Sequence, residues 1–164
     1  MYNTLLAFIA IALISFAAPT VVAAQDGILQ GTYSLVSTSQ KVVDTGQVDT
    51  YTNERGFISY GSDGRMLVLI VRGDRPKAES VAKITDPQRV ELFNALVAYG
   101  GTYKFDGKTV EHHIDVAWNE IWAGAKQVRT VTRDGDRITL TTAAIPRPQD
   151  GKLAETTLVW EKVK

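Results

Sequence analysis

From about residue 30 onward, apolar and polar positions alternate with a period of two in short runs rich in β-branched and aromatic residues. The runs predict strands at about 30–39, 55–61, 65–72, 100–105, 109–117, 126–133, 137–143 and 154–162. Between them sit four Asp-Gly pairs, Asp63-Gly64, Asp106-Gly107, Asp134-Gly135 and Asp150-Gly151. Asp-Gly tolerates the positive φ of tight hairpin turns, so this punctuation predicts a meander of neighbouring strands, not crossovers through helices. Eight short strands in this order give an all-β fold, an eight-stranded antiparallel up-and-down barrel.

Alternation also sorts the side chains. On the fifth strand Val110, His112, Ile114 and Val116 share one face, and Glu111, His113 and Asp115 the other. With the apolar set facing the barrel, His112 points inward, although a single bulge inverts such an assignment. On the fourth strand Tyr103 and Phe105 alternate with Thr102 and Lys104; on the eighth, Leu158 and Trp160 alternate with Thr157, Val159 and Glu161. The interior is thus aromatic and aliphatic. A barrel of eight strands is just wide enough to fill itself with side chains or to hold one small ligand.

One segment breaks the period of two. After Asp86-Pro87, read as an N-cap and first-turn pair, the spacing changes to that of a helix. Val90, Phe93, Leu96 and Val97 share a face, and Gly100-Gly101 supplies a stop. One helix therefore falls between the third and fourth strands. The third strand is apolar on both faces from Met66 to Val71, so its outer side asks for a cover, and the helix is the natural candidate.

The first 24 residues stand apart. Leu5 to Ala18 is apolar except for Ser15, and the first charged side chain is Asp26. Pro19-Thr20 breaks the run ahead of the small residues Val22-Ala23-Ala24. This predicts a signal peptide, residues 1–24, cleaved after Ala24, and a barrel domain over residues 25–164 exported to the periplasm or secreted. Met1 to Thr4 carries no Lys or Arg, so the competing reading is an uncleaved anchor, for which Pro19 makes a poor span. The absence of Cys excludes an N-terminal lipidated Cys, disulfides and thiolate chemistry. The 18 basic and 18 acidic residues cancel, and neither a nucleic-acid partner nor an acidic membrane surface is expected. Nothing after the leader is apolar for long enough to form a stable membrane span.

The densest chemistry runs from His112 to Arg129, which holds both histidines and two of the three tryptophans. In one reading His112, Arg129, Trp118 and Trp122 form a polar and aromatic cluster at a cavity mouth, with Tyr103 and Phe105 lining the interior below. Such a site suits a ligand with an apolar body and one polar or anionic group. In the other, one histidine is hydrogen-bonded in the core, its neighbour is solvated beside Glu111 and Asp115, and the tryptophans plug the barrel. Adjacent His112 and His113 point to opposite faces and cannot easily share a metal ion, and no thiolate or third histidine completes a site. No Gly-x-Ser-x-Gly elbow, phosphate loop or dinucleotide fingerprint occurs, and no cofactor is expected. Arg72-Gly73-Asp74 reads as a charged rim rather than an adhesion motif.

Several segments, in order, resemble the lipocalin-like domain family, a branch of the calycin-type barrels. They are Gly31-Thr32-Tyr33-Ser34-Leu35-Val36-Ser37, Gly56-Phe57-Ile58-Ser59-Tyr60 leading to Asp63-Gly64-Arg65-Met66, and Arg72-Gly73-Asp74-Arg75-Pro76. Ala98-Tyr99-Gly100-Gly101-Thr102-Tyr103, Val110-Glu111-His112-His113-Ile114, Gly124 to Arg129 and Gly135-Asp136-Arg137-Ile138-Thr139-Leu140 complete the set. The resemblance implies a barrel with room for a small molecule. Such domains commonly open with Gly-x-Trp; Tyr33 stands there in this chain and would stack on Arg129 instead.

Three functions compete. The first is an exported, non-catalytic binder of a small hydrophobic or amphipathic molecule. The second is an isomerase or cyclase that uses His112 or His113 as acid or base and Arg129 to hold an anion. The third is an inhibitor or interaction protein presenting the loops 40–54 and 144–153.

Overall fold

The computed structural model describes residues 28–147 and 150–164; the expected leader, residues 1–24, lies outside them. The described chain runs β1 (Gly31–Val42), β2 (Val48–Tyr51), β3 (Arg55–Tyr60), β4 (Arg65–Val71), α1 (Asp86–Asn94), β5 (Leu96–Phe105), β6 (Thr109–Ala117), β7 (Lys126–Asp134), β8 (Arg137–Thr142), β9 (Ile145–Pro146) and β10 (Leu153–Lys162). Single 3-10 turns occupy Val81–Lys83 and Glu120–Trp122. Antiparallel pairing runs through β1, β3, β4, β5, β6, β7, β8 and β10, and pairing of β10 with β1 closes the ring. All eight strands expected from the alternation are present. The helix lies between β4 and β5, the third and fourth of those eight, because the short β2 precedes them.

The ends of the barrel differ. The Asp-Gly hairpins joining β3 to β4, β5 to β6 and β7 to β8 all lie at one end, and Gly64, Gly107 and Gly135 take φ of +79°, +94° and +56°. Only glycine adopts these angles without strain, so three tight connections are affordable there. Leu29 is fully buried beneath this turn end. The opposite end carries the long connections 43–54, 72–95, 118–125 and 143–152. Two of these, read from sequence as polar loops, hold β2 and β9. β2 pairs with Thr38–Lys41 of β1, and β9 with Leu153-Ala154 of β10. Arg147, with a buried side chain, ties them: Nη1 donates to Asp49 Oδ2 at 2.6 Å and Nε to Asp150 Oδ1 at 3.1 Å.

Three expectations are corrected. The helix cap is Thr85, one residue earlier than Asp86, because Thr85 and Gln88 form a reciprocal capping box: Thr85 Oγ1 accepts from the Gln88 amide, and Gln88 Oε1 from the Thr85 amide at 3.0 Å. The helix ends at Asn94, so Leu96 and Val97 are strand residues; pairing of Leu96–Thr102 with Arg65–Val71 outcompetes two more residues of helix. Finally, α1 does not cover the outer face of β4. Arg72 N donates to Ala95 O at 2.9 Å, which pins the exit of one strand to the entry of the next. The intervening helix is thereby confined beyond the strand ends. Leu67 and Leu69 stay 58% and 44% exposed, and Val90 and Phe93 are exposed as well.

A bulge decides the inner face of β6. Gly101 pairs with Ile114 and Gly100 with Val116, leaving Asp115 as the extra residue. A Cβ at Gly101 would stand 1.9 Å from the His113 carbonyl oxygen, so this close approach requires glycine. Val110, His112 and Ile114 are buried as expected, whereas Val116 is turned out to 65% exposure.

Candidate functional site

At the centre of the barrel is His112, wholly buried on the inner face of β6. Its Nε2 lies 2.9 Å from Tyr60 Oη of β3, and its Nδ1 lies 3.3 Å from both Tyr99 Oη of β5 and Arg129 Nη1 of β7. A guanidinium can only donate, so Nδ1 is the accepting nitrogen and Nε2 carries the proton, which it donates to Tyr60. Burial, reinforced by the Arg129 charge, holds the imidazole pKa well below its ordinary value. His112 is therefore neutral at physiological pH. Burial likewise pushes the phenols of Tyr60 and Tyr99 above their usual range; Arg129 works against it at both.

Arg129 reaches this centre because β7 places Gln127, Arg129 and Val131 on its inner face, each half-buried. Its Nη2 donates to Gln127 Oε1 at 2.6 Å. Strand register explains the grouping: His112 pairs with Gln127 and Val110 with Arg129, so a long side chain at 129 passes its neighbour and meets the imidazole.

Rings connect this polar centre to the loop end. Tyr99 contacts Trp122 edge-on at 5.7 Å between centroids, Trp122 contacts Trp118 at 4.7 Å, and Trp118 faces Phe93 of α1 at 6.1 Å. Trp118 Nε1 also donates to the Phe93 carbonyl at 3.2 Å. Asn119 caps the 3-10 turn that carries Trp122 by accepting from Ile121 N at 3.2 Å. Toward the turn end, Tyr60 packs edge-on against Tyr103 at 4.8 Å, and Tyr103 Oη donates to the Gly61 carbonyl.

Five of the six residues expected at the site, His112, Arg129, Trp118, Trp122 and Tyr103, thus belong to one connected group. Phe105 is buried in the same core as Tyr103 and also borders a groove of about 240 Å³ with Lys104, Asp106 and Thr109. The other histidine lies outside the barrel wall. His113 is in contact with Glu111, whose second neighbour is Lys126 Nζ at 3.3 Å, while Asp115 pairs with Arg65 at 2.8 Å. Arg129 does not stack on Tyr33. The cation over that ring is Lys162, 5.9 Å from its centroid, because Arg129 is drawn to His112 and Gln127 instead.

Two members of the group, Tyr60 and Tyr99, escaped the sequence reading. The alternation of Ile58 with Tyr60 carried the signal for the first. Tyr99 was hidden by the helical period assigned across Leu96 and Val97.

A family profile described as a lipocalin-like domain matches residues 30–163, spanning the whole barrel. No curated protein matches the chain.

Proposed function

This chain belongs to the lipocalin-like domain family, and on that footing we propose that it is an exported protein that binds a small, partly apolar molecule inside the barrel without catalysis. The observation that carries this reading is the inner face of β7. Gln127, Arg129 and Val131 are only half-buried, beside a fully buried His112 and an otherwise apolar wall. A barrel that needs only to be stable gains nothing from a guanidinium and an imidazole at its centre, since burying polar groups costs free energy. A mostly apolar lining with a few convergent polar groups is the side-chain chemistry that small-molecule sites share.

Acid–base catalysis is the weaker reading. Both ring nitrogens of His112 are engaged by Tyr60, Tyr99 and Arg129, and its depressed pKa keeps the imidazolium, the acid form, from populating near neutrality. The apolar run from Leu5 to Ala18 supports export.

Trp118 and Trp122 supply the test, because they adjoin Tyr99 at the loop end. Titration with a series of lipophiles is expected to give a saturable change in tryptophan emission, and native mass spectrometry of protein from its own compartment a bound small molecule. Absence of both a saturable signal and a bound mass would remove the proposal. For export, the expected mature mass lacks residues 1–24; an intact N-terminus in the cytoplasm overturns that part.

A further inference from the structure

Hydrogen bonding around His112 is unbalanced. Nδ1 offers one lone pair, yet Arg129 Nη1 and Tyr99 Oη both stand 3.3 Å from it, a long distance for either. Tyr60 Oη accepts from Nε2 at 2.9 Å and keeps its own hydrogen to give. Arg129 has five N–H donors, and its hydrogen bonds go to neutral groups, the imidazole, the Gln127 amide oxygen and the Tyr99 hydroxyl. Elsewhere in the same interior, Tyr33 Oη and Trp160 Nε1 are buried with no hydrogen-bond partner among the described residues. Around His112 and Arg129, donors exceed acceptors.

Charge is unbalanced in the same direction. No ion pair among the described residues involves Arg129. The contrast is Arg147, whose buried guanidinium is flanked by Asp49 and Asp150. There a buried cation is matched by two carboxylates. Arg129 is half-buried with no carboxylate beside it, and hydrogen bonds to neutral partners offset its desolvation less well than an anion would.

We infer that the ligand of the barrel carries a carboxylate, and that Arg129 receives it together with the hydroxyls of Tyr99 and Tyr60. This rests on the small-molecule reading above and names the chemistry of its ligand. A carboxylate adds acceptor sites and no donor, and its planar fork matches a guanidinium. It also brings a single negative charge to a single positive one, since His112 is neutral. A doubly charged phosphate would leave one charge unmatched in a low-dielectric interior. The apolar body of the ligand lies against Val131 and Leu158, which are only partly buried.

The test compares two probes of equal chain length, decanoate and decanol, by tryptophan emission and calorimetry at neutral pH. Charge-assisted hydrogen bonds predict that decanoate binds about tenfold or more tightly than decanol. The ratio of the two affinities, rather than either alone, is the readout, so a general loosening of the barrel cancels. Arg129→Gln is expected to bring that ratio toward one. Arg133→Gln, at the exposed end of the same strand, is expected to preserve it. If decanol binds as tightly as decanoate, the carboxylate inference is wrong while the binding function stands. If Arg129→Gln keeps the preference, the inference is equally overturned. If neither probe binds, both it and the small-molecule reading fall.

Discussion

Strands β4 and β7 occupy the same kind of place in the ring and do opposite things with their inner faces. β4 turns Met66, Val68 and Ile70 inward and buries each almost completely. β7 turns Gln127, Arg129 and Val131 inward and leaves each half-buried. Outside, the order reverses in part: β4 shows Leu67 and Leu69 to solvent, where Leu67 borders a groove of about 300 Å³ with Gly100, Val116 and Trp118. The apolar strand packs the core, and the polar one brings a guanidinium and an amide into the interior. Continuous apolar sequence does not guarantee that both faces are covered, and polar alternation does not guarantee that its polar half faces water.

The largest expected effect tests that division directly. Ile70→Ala removes methylenes from a packed site and should cost about 2–5 kcal/mol in urea unfolding, whereas Val131→Ala on the half-buried wall should cost about 1 kcal/mol or less. Equal losses at the two positions would erase the distinction between the walls.

How much of this was legible beforehand depended on whether local pattern or long-range pairing decided the outcome. All eight barrel strands were readable because period-two runs are separated by Asp-Gly pairs, whose glycines do take positive φ. His112 was correctly placed inside by its position between Val110 and Ile114. Val116 was misplaced two residues later, since the bulge at Asp115 is set by the close approach of Gly101 on the neighbouring strand. The end of α1 failed for a similar reason: Leu96, Val97 and Tyr99 satisfy a helical stripe and a strand equally well, and seven residue pairs with β4 settle the matter. Tyr99 was lost from the candidate site with them. The sequence offered Arg129 two partners, the cluster around His112 and the ring of Tyr33, and only the register of β6 against β7 decides for His112.

A smaller effect, spread over a pH range, sharpens the contrast at the residue that sits between the walls. His112 stays neutral in the folded protein at a pH where the unfolded chain takes up a proton, given an ordinary value of 6.5. The unfolded state then binds more protons, so stability is complete above that value and declines as pH falls through it toward the depressed folded pKa. The decline should approach about 1.4 kcal/mol per pH unit. Chemical denaturation of the native protein and of His112→Gln between roughly pH 7 and 5 measures it, with the variant free of this component. Parallel curves would mean that His112 is protonated, or accessible, in the fold.

Arg129→Gln should produce the smallest change and the most informative one. At neutral pH it removes hydrogen bonds to neutral partners and also relieves a half-buried cation with no carboxylate beside it, so the opposing terms should leave stability within about 1 kcal/mol of native. Its signature lies in acid. Burial is the larger cause of the His112 shift and survives the substitution; the Arg129 charge is the smaller and does not. The folded pKa of His112 should therefore rise only part of the way toward 6.5, and the acid loss of stability should end at a higher pH and a smaller total than in the native protein. A profile identical to native would show that the two walls are electrically independent at His112. One as flat as that of His112→Gln would show that the cation on β7, and not enclosure by Tyr60 and Tyr99, keeps the imidazole neutral.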